Sequence, residues 1–242
     1  MKPHGNDPAE WQLRTRNVRL PRSDELPLLM GIVNTTPDSF SDGGQWVQIE
    51  SAVAHGLSLI EAGADILDIG GESTRPFSDP VDAKEEWRRV GEVVRILSRE
   101  SDCPLSIDTS KASVAKNALE NGAEIINDVT GLEGDPEMIR IARETGAGIC
   151  AMHMQGTPKT MQINPTYENV VAEVYAYLED QKNTFATAGI APEKICLDPG
   201  IGFGKTHSHN IELMKYASKF LDLGCPILIG HSRKGFLGKL VK

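Results

Sequence analysis

Seven short apolar runs recur along the 242-residue chain: LLMGIV (28–33), DILDIG (65–70), PLSID (104–108), EIINDV (124–129), GICAMH (148–153), KICLD (194–198) and PILIG (226–230). They are apolar on successive residues, as in strands covered on both faces. Helical periodicity fills the gaps. Residues 47–61 place Val47, Ile49, Val53, Leu57 and Ile60 on one face, and 84–98 do the same with Trp87, Val90, Val93, Val94 and Leu97; 165–187 and 209–222 read alike. In EAGADIL, ENGAEII, ETGAGIC, ATAGIAP and LDLGCPI a glycine follows a helix and precedes a strand. Glycine closes a helix in the left-handed conformation at little cost. Strand followed by helix, repeatedly, predicts parallel strands with helical crossovers.

An open doubly wound sheet and a closed (β/α)8 barrel both satisfy that pattern. No G-x-G-x-x-G follows the first strand, and the size of the repeat favours the barrel. The expected fold is an α/β (β/α)8 TIM barrel short of its eighth strand, since the last run is followed only by GFLGKLVK. Such a barrel leaves two unpaired edges, which folds normally avoid. Residues 28–242 are read as one barrel domain, C-terminally incomplete. Residues 1–27 are a lead or a cap under the barrel, and the sequence does not decide which.

The net charge of −9 argues against a nucleic-acid groove, which needs a basic face. No apolar run approaches a membrane span, and MKPHGNDPAEW lacks the apolar core of a signal peptide. A cytoplasmic protein with small-molecule partners is expected. Cys103, Cys150, Cys196 and Cys225 have no C-x-x-C spacing and lie in or beside apolar runs, so they read as buried free thiols.

In a barrel the chemistry sits at the C-terminal strand ends. Those positions hold Asn34, Glu72-Ser73-Thr74-Arg75, Asp108, Asn127-Asp128, Met152-His153, Asp198 and Ser232-Arg233-Lys234. One Asp there is usually a helix cap, but seven polar clusters on one rim exceed what capping explains. Ser110 is placed to cap the helix near Lys111, leaving Asp108 for another task. Asp128 reads as orienting its loop. His153 has no partner at metal spacing, so a structural role is at least as reasonable as catalysis. DPGIGFGKT (198–206) is not a Walker loop, because Pro199 stands where glycine is required. Its glycines would let backbone approach a ligand closely, with Lys205 nearby.

NTTPDSFSDGG (34–44), DIGGESTRP (68–76), SIDTSK (106–111), INDVTG (126–131), DPGIGFGKT (198–206) and GHSRKGFLG (230–238) resemble dihydropteroate synthase, in order along most of the chain. The resemblance implies a pterin-binding barrel of folate biosynthesis. That enzyme joins p-aminobenzoate to 6-hydroxymethyl-7,8-dihydropterin diphosphate, giving 7,8-dihydropteroate and pyrophosphate, and sulfonamides compete with p-aminobenzoate. It further implies that Asn34 binds the Mg²⁺ accompanying the diphosphate and that Thr74 contacts substrate. Asp108, Asn127, Met152, Asp198 and Lys234 would line the pterin pocket, with Lys205 beside it. Phe203, Ser232 and Lys234 would form the p-aminobenzoate slot. Asp108, Lys234 and Arg75 would carry the chemistry, under lids at 34–44 and 74–76, in a homodimer. Complete members end in an Arg-x-His strand that nothing here matches, so weak or no turnover is expected of residues 1–242. The rival readings are a methyltetrahydrofolate-dependent methyltransferase, for which ESTRP and HSRKG would lack a purpose, and a non-catalytic pterin binder.

Overall fold

In the computed structural model the described residues are 10–22, 24–36, 45–75, 78–232 and 234. Two short strands come first, β1 (Glu10–Gln12) and β2 (Asn17–Arg19), paired antiparallel. Six strands follow: β3 (Met30–Asn34), β4 (Ile66–Gly70), β5 (Leu105–Asp108), β6 (Ile125–Asp128), β7 (Gly148–Met152) and β8 (Ile195–Asp198). They form one sheet in chain order, every pair parallel. The helices α1 (Gln45–Glu61), α2 (Ala83–Glu100), α3 (Ala112–Glu120), α4 (Met138–Thr145) and α5 (Val170–Thr187) lie between successive strands, and α6 (His207–Lys215) follows β8. This is the architecture of a (β/α)8 barrel, with six strands in its described parallel sheet.

Alternation along each strand sorts the core into two layers. Leu67, Ile69, Leu105, Ile107, Ile126, Ile149 and Leu197 point outward and pack with the helices. Ile66, Ile125, Cys150 and Cys196 point inward and form a separate cluster with Trp11 and Leu13 of the hairpin. Trp11 plugs the barrel from below, and its indole Nε1 donates to the Lys194 carbonyl at 3.0 Å. Just beyond, Thr15 Oγ1 donates to Glu124 at 2.7 Å, and Arg16 pairs with that carboxylate at 2.7 Å. These partners sit at the N-terminal ends of β6 and β8, opposite the rim where the strands end.

The glycines expected after helices all have positive φ, among them Gly146 (+67°) closing α4 and Gly122 (+110°) after α3. At Gly122 a Cβ would also lie 2.5 Å from Ser98 Cβ, so no other residue fits without a shift. All four cysteines are free thiols, Cys103 half-buried and the others buried. No helix among the described residues is long and apolar enough to cross a membrane.

Four expectations need correction. The seventh apolar run makes only the single bridge Leu197–Ile227, with hydrogen bonds of 2.9 Å on either side of it. Pro226 enters that segment without an N–H, so the ladder has no donor there. Val47 is 53 % exposed and lies off the buried face of α1, which is made by Ile49, Ala52 and Val53. α5 begins only at Val170, where the Asn169 side chain accepts from Ala172 N at 3.0 Å; α6 stops at Lys215 and gives way to a 3₁₀ helix over Ala217–Leu223. Ser110 does not cap α3. The Ala112 N–H goes instead to Asp135 Oδ2 at 2.9 Å, a carboxylate from the loop after β6.

Candidate active site

The strand register delivers Asn34, Gly70, Asp108 and Asn127 to one level of the rim. Gly70 leaves that level open. A Cβ there would lie 3.3 Å from Asp108 Oδ2 and 3.7 Å from Asn34 Oδ1, so both oxygens lean over the same glycine. One step below, Asp68 and Ser106 face each other across β4 and β5. Asp68 Oδ2 accepts from Asn127 Nδ2 at 2.9 Å and so fixes the amide.

Burial dominates the electrostatics. Asp108 is pushed well above the usual carboxylate range, first by desolvation and then by Asp68, Asp128, Glu86 and Glu72. Burial also raises Asp68, against the hydrogen bond from Asn127. Asp198 is raised to about 6 by burial, opposed by the Gly200 N–H, which donates to Oδ1 at 2.7 Å, and by Lys205 and Lys234. Lys234 is lowered by burial while Asp198 and Asp108 pull it back up. Its ammonium stands 3.9 Å above the Phe203 ring. Asp198, Asp108, Lys234 and Phe203 therefore face one another across the mouth of the barrel.

The remaining expected residues fall into two groups. Met152 is buried at the end of β7. Thr74 is half-buried, and Arg75 and Ser232 are exposed. The loop carrying Thr74 and Arg75 is closed by Ser78 Oγ, which donates to the Ser73 and Arg75 carbonyls. The lid expected over 34–44 lies outside the described residues from 37 onward. Lys205, expected among the substrate contacts, turns into the protein and is 3 % exposed. Gly200 and Gly204 admit close backbone approach, but to the protein: a Cβ would sit 1.9 Å from the His153 carbonyl at the first and 2.7 Å from the Gln155 carbonyl at the second.

The family described as pterin binding enzyme matches residues 30–242. The dihydropteroate synthase of Neisseria meningitidis serogroup C is 49% identical over 233 residues, which is 95% of this chain and 81% of that protein. The chain superposes with a TM-score of 0.88 on the Xanthomonas albilineans dihydropteroate synthase solved with 4-aminobenzoic acid, at 42% identity, covering 96% of this chain and 81% of the other. It does so equally, with 0.88 and 41% identity over 96% and 82%, on the Yersinia pestis dihydropteroate synthase in complex with a sulfonamide drug.

This chain belongs to the dihydropteroate synthase family. Like its relatives it is a transferase of folate biosynthesis. Two features of this dihydropteroate synthase family member escape a reading of strand ends alone. Asp68 lies inside an apolar run; its signal is the two-residue period linking Ile66, Asp68 and Gly70 on the inner face. The second feature anchors the Thr74 loop. Lys111 bonds to Glu72 at the start of that loop and to the fully buried Glu86 of α2, the latter at 2.5 Å. Nothing in the spacing of Glu72, Glu86 and Lys111 announces that contact. Among the described residues no group of three His, Cys, Asp or Glu side chains could hold a metal ion. Asn34 offers one neutral oxygen, which suits an ion that brings phosphate and water as its other ligands.

Proposed function

We propose that the rim holds 6-hydroxymethyl-7,8-dihydropterin diphosphate by its heterocyclic edge between Asp198 and Lys234, and that p-aminobenzoate enters against Phe203. The observation that carries this is the mutual attraction of Asp198 and Lys234 at the strand-end rim, with Phe203 3.9 Å beneath the ammonium. A pterin presents adjacent N–H donors, which one carboxylate accepts in pairs. Lys234 donates to the neighbouring ring carbonyl, and Asn127, fixed by Asp68, adds an oriented amide. Met152 supplies apolar floor.

The carbon–oxygen bond to the diphosphate breaks with its electron pair leaving on pyrophosphate, and the pterin is left cationic. Asp108 then matters. Buried among other carboxylates, it favours its charged form only opposite positive charge, and that charge appears as the bond breaks. Such an interaction strengthens on the way to the transition state and speeds the step. Arg75 and Thr74 face the departing pyrophosphate. Mg²⁺ arriving on the diphosphate would be held by Asn34 and would offset charge on the leaving group. The aromatic amine closes the carbon–nitrogen bond with its lone pair and releases a proton; it needs placement more than a strong base. Ser232 and Lys234 receive its carboxylate. Sulfonamides, one of which is bound in the Yersinia pestis structure, compete for that slot. The chain works as a homodimer in the cytoplasm, as the family resemblance implies; sedimentation velocity tests the assembly.

The direct test is pyrophosphate release from the pterin diphosphate, p-aminobenzoate and Mg²⁺, alongside calorimetric titration of the pterin diphosphate. Binding of the pterin diphosphate, with pyrophosphate release that is weak but dependent on both substrates, is the expected result. A chain that neither binds the pterin nor releases pyrophosphate overturns the reading.

A further inference from the structure

We propose that Lys205 is a positioning residue: its ammonium, wholly engaged by the protein, locks the loop after β8 to the loop after β7 and holds the neighbouring Asp198 carboxylate ready for the pterin. This rests on the function proposed above and assigns that site a residue that never touches substrate. Lys205 Nζ lies 2.9 Å from the Phe203 carbonyl, 3.0 Å from His153 Nδ1 and 3.3 Å from the His153 carbonyl. An ammonium has three donors, so none remains for a phosphate or a ring oxygen. His153 must accept at Nδ1 and is therefore neutral with its proton on Nε2. Burial, then the Lys205 charge, takes its pKa to about 3, and Tyr177 packs edge-on against the ring at 4.8 Å.

The same few residues are tied together from the other side. His153 N donates to the Asp198 carbonyl at 2.9 Å, and Gly200 N donates to the Asp198 carboxylate at 2.7 Å. Gly200 (φ +70°) passes so close beneath the His153 carbonyl that no side chain fits. Asp198, Gly200, Phe203, Lys205 and His153 thus form one unit, and a change at Lys205 reaches both the pterin edge and the aromatic wall.

Asp198 needs that cation. It is 7 % exposed, and burial works against its charge. The groups facing it are Lys205 from its own loop, Lys234 from the segment beyond the 226–230 run, Cys150 on β7 and Cys196 beside it on β8, with Asp108 of β5 acting through the shared Lys234. The Gly200 N–H favours the carboxylate form first; among the charged groups only the two lysines do, and Lys234 is committed to substrate. Lys205 is the cation present whatever is bound. Burial lowers its pKa to about 7, yet it is still largely protonated where Asp198 titrates, at about 6.

Removing the charge should therefore raise the Asp198 midpoint, and with it the acid limit of pterin binding. The test is a ¹³C-carboxyl NMR titration of the free chain, with Asp198→Asn assigning the resonance, in wild type, Lys205→Met, Lys205→Gln and Lys205→Arg. The pH dependence of pterin diphosphate binding is measured in parallel. The midpoint should rise by about one pH unit in the Met and Gln variants and stay near the wild-type value in the Arg variant. Pterin affinity at pH 6 should fall roughly fivefold in the neutral variants. If Lys205→Met does not fold, the Gln and Arg pair decides. A midpoint unmoved in a folded neutral variant, or moved as far by Arg as by Gln, overturns the proposal and leaves Lys205 as packing alone. A wild-type chain that binds no pterin at any pH sinks the functional reading instead, while the ligand-free titration still decides the role of Lys205.

Discussion

Asp198, Lys205 and Lys234, on the β7–β8 side of the rim, are buried or half-buried, and Asp198 and Lys205 are fixed by hydrogen bonds inside the protein. On the β3–β4 side, Asn34 is exposed at the end of β3, and Thr74 and Arg75 are half-buried and exposed on a loop closed by the Ser78 hydroxyl. The contrast follows from what each side would hold. A flat heterocycle with a fixed donor pattern is recognised best by groups that need no rearrangement on binding. A diphosphate with its own cation must enter and pyrophosphate must leave, so its side of the site suits groups that water can reach.

The largest expected effect breaks the built side. Asp198→Asn keeps an acceptor for the Gly200 N–H but loses the charge proposed to pair with the pterin edge. Its kcat/KM for the pterin diphosphate should fall by roughly three orders of magnitude, as for a charge-assisted pair of hydrogen bonds. A loss below tenfold would mean that the pterin is held elsewhere.

Next in size is the anchor under the open side. Lys111→Met leaves Glu86, fully buried, without its cation, and Glu86 already has one carboxylate oxygen without a partner. Breaking a buried pair in this way costs about 3 kcal/mol. The urea midpoint should fall accordingly with an unchanged m-value. An unchanged midpoint would show that Glu72 and Glu86 are carried without Lys111, and that the Thr74 loop has no firm base.

The third effect separates function from stability on the built side. Asp198 has a folded pKa of about 6 against an ordinary 3.8. Folding therefore favours its protonated form, and its ionisation costs stability as pH rises through that window. The cost is about 2–3 kcal/mol above it, by the pKa difference. Asp198→Asn, though inactive, should be more stable than wild type at pH 7.5 by about that amount, the difference vanishing below about pH 4. Thermal melts at the two pH values check the sign. Equal melting points at pH 7.5 would mean that Lys205 and Lys234 fully offset the burial.

Much of this was legible from residue order. Repeated glycines at helix ends and apolar runs on successive residues sufficed for a parallel, sequentially ordered sheet. Polar groups at the ends of those runs sufficed to gather Asp108, Asn127 and Asp198. What escaped depends on contacts between distant segments. The hairpin at Glu10–Arg19 has strands too short for an alternation, and its role comes from Trp11 finding the barrel floor near Lys194. Lys205 stands beside a glycine-rich loop, where a cation reads as a phosphate contact; only the position of His153, 52 residues away, turns it inward. The seventh run is as apolar as the others, yet its pairing is limited to the bridge at Ile227.

The smallest effect belongs to the open side and tests the contrast most directly. Asn34 is exposed at the end of β3, and its oxygen leans over Gly70 beside Asp108. With Asn34 as the proposed Mg²⁺ ligand, Asn34→Ala would remove one ligand oxygen from an ion that keeps its phosphate and water ligands. The KM for the pterin diphosphate should rise about tenfold, more at low Mg²⁺ than at high, since metal in excess compensates a weakened ligand set by mass action. The melting temperature should stay within about 2 °C of wild type, as for an exposed substitution worth under ~0.5 kcal/mol. A fall in stability comparable to that of Lys111→Met would place Asn34 in the framework of the barrel. A KM indifferent to Mg²⁺ would remove the ion from that side of the rim, leaving Arg75 and Thr74 as the residues facing the diphosphate.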